Sequence, residues 1–130
     1  MEAQQREIEK YTPDRLREVI EDDPDSVLIA TATDGAIIGF CISTVDDGLI
    51  WLAWFGVDPQ ARRTGVGRAL LDALQRTVRA RGAHKTWCDC RTTNAVSATL
   101  LMSAGFTRIC TLKNHWYGHD FLLLERPADA

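Results

Sequence analysis

The chain has 130 residues, 45% of them hydrophobic and 25% charged, with 15 Lys plus Arg against 18 Asp plus Glu and a formal net charge of −3. That balance fits one globular domain spanning residues 1–130 with a sizeable core, and it excludes a low-complexity or extended chain. The arginines are scattered and form no basic stripe, which argues against nucleic acid as a partner.

Met1 to Lys10 is polar and has no apolar stretch of the kind a secretion signal carries, and no segment reaches the length of a membrane span. The expectation is a cytoplasmic protein with no membrane partner. Thr12-Pro13-Asp14 reads as an N-cap with proline at the first helical position, and Leu16, Val19 and Ile20 recur at helical spacing, so a short helix over about Pro13 to Glu21 is expected. Val27 to Thr33 and Ala36 to Val45 are β-prone runs separated by Asp34-Gly35, a hairpin signal. Asp46-Asp47-Gly48 makes the next turn, and Leu49 to Val57 continues as a third antiparallel strand. Its sequence is apolar on both faces, which places it at the centre of a sheet covered on both sides.

The best-defined helix runs from Gly65 to Arg81, with Val66, Leu70, Ala73, Leu74 and Val78 on one stripe and Arg68, Asp72, Gln75, Arg76 and Arg79 opposite. Gly82 closes it. Thr86 to Arg91 reads as a strand, Asn94 to Ala104 as a second amphipathic helix ended by Gly105, and Thr107 to Leu112 and Asp120 to Glu125 as two closing strands. Arg126 to Ala130 reads as a frayed tail. The order β-β-β-α-β-α-β-β, after the short N-terminal helix, predicts an α/β architecture with a mixed sheet and helices on its faces.

Cys41, Cys88, Cys90 and Cys110 sit among apolar and β-prone residues and read as reduced core thiols. Cys88 and Cys90 with His115 or His119 contain zinc-ligating atom types, but a C-x-C pair inside a strand lacks the usual knuckle spacing, so no metal is expected.

The segment from Val57 to Arg68 carries the chemistry. It leads from a buried strand through a short loop into the best helix, and Gly65 and Gly67 at the helix start cost stability, each roughly 1 kcal/mol in a helix interior. Free N–H groups of a first helical turn, the positive end of the macrodipole and Arg62, Arg63 and Arg68 together suit a pyrophosphate. A Walker loop would need Lys-Ser/Thr after Gly67, where Arg68-Ala69 stands, and a dinucleotide fingerprint would need a glycine at Leu70. The plain alternative makes Gly65 a turn residue and Gly67 a site of tight helix packing.

Arg62-x-x-Gly65-x-Gly67, following a strand and Val57-Asp58-Pro59, resembles the acetyl-CoA motif of the GNAT family of N-acetyltransferases, Gln/Arg-x-x-Gly-x-Gly/Ala. Asn94 followed by a helix and Gly105-Phe106 resembles the family's next motif at its usual spacing. The resemblance implies the acyl-CoA N-acyltransferase fold, with acetyl-CoA as co-substrate and an amine-bearing small molecule or peptide as acceptor. A homodimer stays open. By the same resemblance, Arg62 opens the motif and the backbone amides of Arg63, Thr64, Gly65, Val66, Gly67 and Arg68 hold the pyrophosphate. Phe55, Gly56 and Val57, at a splayed or bulged strand end, pair with the pantetheine arm and polarise the thioester carbonyl. Asn94 touches the pantetheine in relatives; its alternative role is the N-cap of the following helix.

Family chemistry requires a base for the ammonium proton, an oxyanion stabiliser and a proton for the departing thiolate. Asp89 stands where relatives that acetylate protein N-termini carry a glutamate base, and its alternative is an ion pair with Arg91 or another cation. The family's usual acid, a tyrosine, is replaced by Leu101, and water, Tyr117, His115 or His119 are the substitutes. Tyr117 and His119 are also expected beside the acceptor. Alternatively, Leu101 signals a domain that binds acyl-CoA without turning it over.

Overall fold

The computed structural model describes residues 13–129. Its elements are helix α1 (Pro13–Asp22), strands β1 (Val27–Thr31), β2 (Ile37–Asp46) and β3 (Leu49–Val57), helix α2 (Val66–Ala80), strand β4 (Lys85–Arg91), helix α3 (Ala95–Ser103), and strands β5 (Thr107–Trp116) and β6 (His119–Pro127). Short 3₁₀ turns at Pro24–Ser26 and Pro59–Ala61 lead into β1 and toward α2. The expected order and mixed sheet are present. The Thr12 cap lies outside the described residues.

One sheet of 6 strands runs in the order β1-β2-β3-β4-β6-β5. All neighbours are antiparallel except β3 and β4, which are parallel. So β3 is central, as its apolar sequence requires, but antiparallel on its β2 side only. Asp47-Gly48 connects β2 to β3 with φ of +49° and +87°, the two positive values of a type I′ turn. The Asp34-Gly35 connection is looser: strands stop at Thr31 and restart at Ile37, and Ala36 N–H donates to Asp34 Oδ1 at 3.0 Å.

The main core lies where α2 crosses the sheet. Leu71, Leu74 and Val78 of α2 meet Ile50, Leu52, Cys88 and Leu124 of the strands and Leu101 of α3. Burial of these side chains, each worth roughly 1.5–3 kcal/mol, holds α2 across β1 to β3. Gln75, assigned by periodicity to the polar face, is instead buried and donates to the carbonyls of Pro127 and Ala128 at 2.9 and 3.0 Å. That bond, with Arg79 Nε on Ala128 O at 2.8 Å, ties down the segment expected to fray. β6 accordingly runs through Pro127. Arg126 is 2% exposed, donates to the carbonyls of Ala104 and Leu71, and lies 4.5 Å from the centre of the Phe106 ring. Burial lowers its pKa, the deprotonated form being favoured where water is excluded.

Two further expectations change. Cys41, Cys88 and Cys90 are buried thiols, whereas Cys110 on the edge strand β5 is exposed. The α3 helix has no clean apolar stripe, since Leu101 is buried while Val96 and Met102 are exposed. No helix among the described residues is long and apolar enough to cross a membrane.

Candidate active site

β3 and β4 pair only from Leu49 with Lys85 to Leu52 with Cys88. Beyond that point they part, because Ala53 is an extra residue on β3: Ile42 pairs with Trp54 but Ser43 with Leu52. A bulge turns its strand away from the neighbour it would otherwise meet. The gap is a cleft of about 510 Å³ walled by Leu52 to Phe55 on β3 and Cys88 to Arg91 on β4 and lined further by Asn94, Trp116 and Tyr117. The splayed strand end expected at Phe55 to Val57 is therefore present. Phe55 lines this cleft, while Gly56 and Val57 continue beyond it beside Ile38 to Phe40.

The loop into α2 is built from backbone. Asp58 Oδ1 accepts from Gln60 N–H at 2.8 Å, the Thr64 hydroxyl donates to the Ala61 carbonyl, and Arg63 and Gly65 take φ of +66° and +87°. Gly65 occupies the N-cap of α2 and no side chain caps the helix, so its first N–H groups stay available to an anion. A Cβ at Gly65 would meet nothing within 4 Å, which leaves the approach open. These features fit the pyrophosphate of a coenzyme A thioester. Arg62 and Arg63 are exposed beside the loop, but Arg68 is committed elsewhere, to Ser103 O at 2.8 Å and Asp72 at 3.3 Å.

Gly67 has the tight-packing role that was its plain alternative, whatever its backbone N–H does. It is buried, and a Cβ there would stand 2.8 Å from Leu100 Cδ2 and 3.4 Å from the Phe55 ring. Its missing side chain lets α2 and α3 close over β3, so the space is protein rather than phosphate. Asn94 does cap α3, accepting from Ser97 N–H at 3.1 Å, and also lines the cleft.

Asp89 lies on the cleft wall with its side chain 14% exposed. Trp116 Nε1 donates to Asp89 Oδ2 at 3.0 Å, and His115 Nε2 stands 3.3 Å from the same oxygen without hydrogen-bond geometry. Cys88 and Cys90 alternate with Asp89 along β4 and belong to the opposite, helix-covered face. Burial raises both of their pKa values, keeping the thiols protonated and poor ligands. Tyr117 lines the cleft at the hairpin turn, whereas His119 is exposed and outside its lining. Leu101, at the usual tyrosine position, is buried in the core at the floor of the cleft. The bond of Trp116 to Asp89 depends on pairing across β6, which no local pattern reports.

The profile of the Acetyltransferase (GNAT) family matches residues 1–106, and the chain belongs to that family. Over 98 residues it is 34% identical to an aminoglycoside N(6')-acetyltransferase type 1 of Klebsiella aerogenes, covering 69% of this chain and 64% of that protein. It is 33% identical over 84 residues to the ribosomal protein bS18 alanine N-acetyltransferase of Escherichia coli K12, covering 65% and 56%. Among solved structures, Ard1 from Thermoplasma volcanium superposes with a TM-score of 0.82 over 90% of this chain and 80% of its own, at 24% identity, a likeness of fold. The chain thus spans somewhat under two thirds of the curated relatives it matches.

Proposed function

We propose that this chain is an acetyl-CoA-dependent N-acetyltransferase that acetylates a primary amine by direct attack in a ternary complex. The observation that carries the reading is the cleft where β3 and β4 part, with the uncapped start of α2 following β3 and the Asp89 carboxylate on the β4 wall. In this reading the backbone N–H groups from Arg63 to Arg68 bind the pyrophosphate, with Arg62 and Arg63 adding charge, and the unpaired edge of β3 from Phe55 to Val57 holds the pantetheine arm. Asp89 accepts the ammonium proton, through water because its side chain is short, and the freed amine forms the C–N bond as the C–S bond breaks. The thiolate leaves near its ordinary pKa, about 8.5, so the demand on an acid is modest. Tyr117 is the cleft group that can serve it. Three buried or partly buried thiols without disulfides suit a reducing compartment, and we assign the protein to the cytoplasm.

The acceptor is a primary amine of a peptide or a small molecule, the two classes named among its relatives. Release of free coenzyme A from acetyl-CoA across a panel of peptides and polyamines tests the activity. Asp89→Asn should lower kcat/KM about tenfold or more at neutral pH, with the loss shrinking as pH rises and free amine accumulates. A second reading, an acyl-CoA-binding module without turnover, draws on the buried Leu101 at the acid position. Tight acetyl-CoA binding with no thiol release from any amine would select it.

A further inference from the structure

Asp89 receives a hydrogen bond from two strands away. β6 separates β4 from β5 in the sheet, yet Trp116 at the end of β5 reaches across it to Asp89 Oδ2. A regular β5 would not deliver Trp116 there. Leu112 pairs with Phe121 and Trp116 with His119, so four steps on β5 match two on β6 and β5 carries two extra residues. Asn114 sits in this bulge with φ of +47°. Its N–H is held by Asp120 Oδ1 at 2.9 Å, and Asp120 Oδ2 receives Lys113 Nζ at 3.3 Å. One carboxylate therefore holds two successive residues of the bulge, and bulges beside a site re-aim the side chains that follow.

We propose that Trp116 is a positioning residue for Asp89, seated by this Asp120-clasped bulge, so that Asp120 governs catalysis from outside the cleft. The proposal rests on the reading of Asp89 as the base. The indole N–H bonds the charged carboxylate, which fixes its rotamer and favours its ionised form. His115 does not replace it: its Nε2 is close to the same oxygen but makes no hydrogen bond, and its ring is fixed against Trp116 and Phe121 at centroid distances of 4.6 and 5.7 Å. Charged or titratable groups that share the cleft lining with Asp89 include Arg91, Cys88 and Cys90 on β4 and Tyr117 in the turn, while Lys113 and His119 lie beside Asp120 on the hairpin.

The test uses the full chain and an amine whose acetylation Asp89→Asn slows. Trp116→Phe keeps a ring and removes the N–H. It should lower kcat about three- to tenfold with acetyl-CoA affinity unchanged within about twofold, the size of the net contribution of one ordinary hydrogen bond. The acid limb of its kcat/KM profile should move to higher pH, because the carboxylate has lost a donor. Asp120→Ala should reproduce the fall in kcat, and Asp120→Asn, whose amide oxygen still accepts the Asn114 N–H, should restore most of it. Where Asp120→Ala fails to fold, Trp116→Phe and Asp120→Asn decide. A Trp116→Phe enzyme with wild-type kcat and an unmoved acid limb overturns the positioning role while leaving Asp89 as base. An Asp89→Asn enzyme as fast as wild type on every amine overturns the base itself and this proposal with it.

Discussion

Two hairpins of this molecule use the same backbone turn with opposite residue choices. Between β2 and β3 the central residues are Asp47-Gly48, at φ +49° and +87°; between β5 and β6 they are Tyr117-Gly118, at +53° and +77°. Asp-Gly is among the pairs a type I′ turn prefers, since a short polar side chain tolerates a left-handed φ. Tyrosine does not, and holding it there costs on the order of 1 kcal/mol. The first turn lies away from the cleft residues, while Tyr117 lines the cleft. A residue unsuited to its backbone and lining the cleft makes Tyr117 a candidate for the acceptor role proposed for it, whereas turn geometry alone accounts for Asp47-Gly48.

The sharpest way to break that comparison is to exchange the two choices. Tyr117→Asn should make the second turn resemble the first: stability rises by about 0.5–1 kcal/mol as strain is relieved, while acceptor kcat/KM falls about tenfold and acetyl-CoA affinity stays within about twofold. Tyr117→Phe, which keeps the ring, separates the hydroxyl from the aromatic surface. Asp47→Tyr should do the reverse, destabilising by about 1 kcal/mol with kinetics unaltered. Chemical denaturation and thiol-release kinetics read both. If Tyr117→Asn loses stability and leaves the acceptor KM and kcat alone, Tyr117 is a packing residue and the distinction between the turns disappears.

A second pair, Gly65 and Gly67, extends the comparison to the cofactor side. Gly65 faces open space with φ of +87°, whereas Gly67 is closed in by Leu100 and Phe55. Gly67→Val should therefore destabilise the fold by about 1–3 kcal/mol through overpacking, in addition to any loss of acetyl-CoA binding. Leu100→Ala in the same chain should return part of that stability. Equal denaturation midpoints for Gly67→Val and wild type would mean that the side chain enters solvent, as a phosphate-facing position requires.

The parts of this structure legible in the sequence are those fixed by local pattern. Leu49–Val57 announced a central strand by being apolar on both faces, the run from Gly65 announced a helix by its period, and Arg62-x-x-Gly65-x-Gly67 announced the loop. What stayed hidden depends on partners. Arg126 follows Leu124 at the buried parity of β6, and a charge at such a position reads as the strand's end until Ala104 O, Leu71 O and the Phe106 ring are known to receive it. Gln75 was hidden in the same way, by two carbonyls some fifty residues downstream in sequence. The bulges at Ala53 and at Lys113 to His115 are mismatches of register between strands, so neither strand contains the signal alone. Asp89 could be singled out from its place before Asn94, and its bond to Trp116 could not be foreseen, for that reason.

The smallest effect concerns Asp120, whose pKa is lowered first by the Asn114 N–H and then by Lys113. A carboxylate with a depressed folded pKa stabilises the folded state fully above its unfolded pKa, about 3.9, and loses that contribution as pH falls through the lower folded value. The clasp should thus be intact at neutral pH and released in acid, below about pH 4. Asp120→Asn cannot titrate there, so the gap in Tm between wild type and this variant should narrow on going from neutral pH to about pH 2. Because Asp120 is exposed, salt screens the Lys113 part, and the narrowing should be slight and smaller still at high ionic strength. A gap constant across that range would show that the Asn114 N–H gains nothing from the charge, leaving the bulge to be held by β5 and β6 pairing alone and making the second hairpin as self-sufficient as the first.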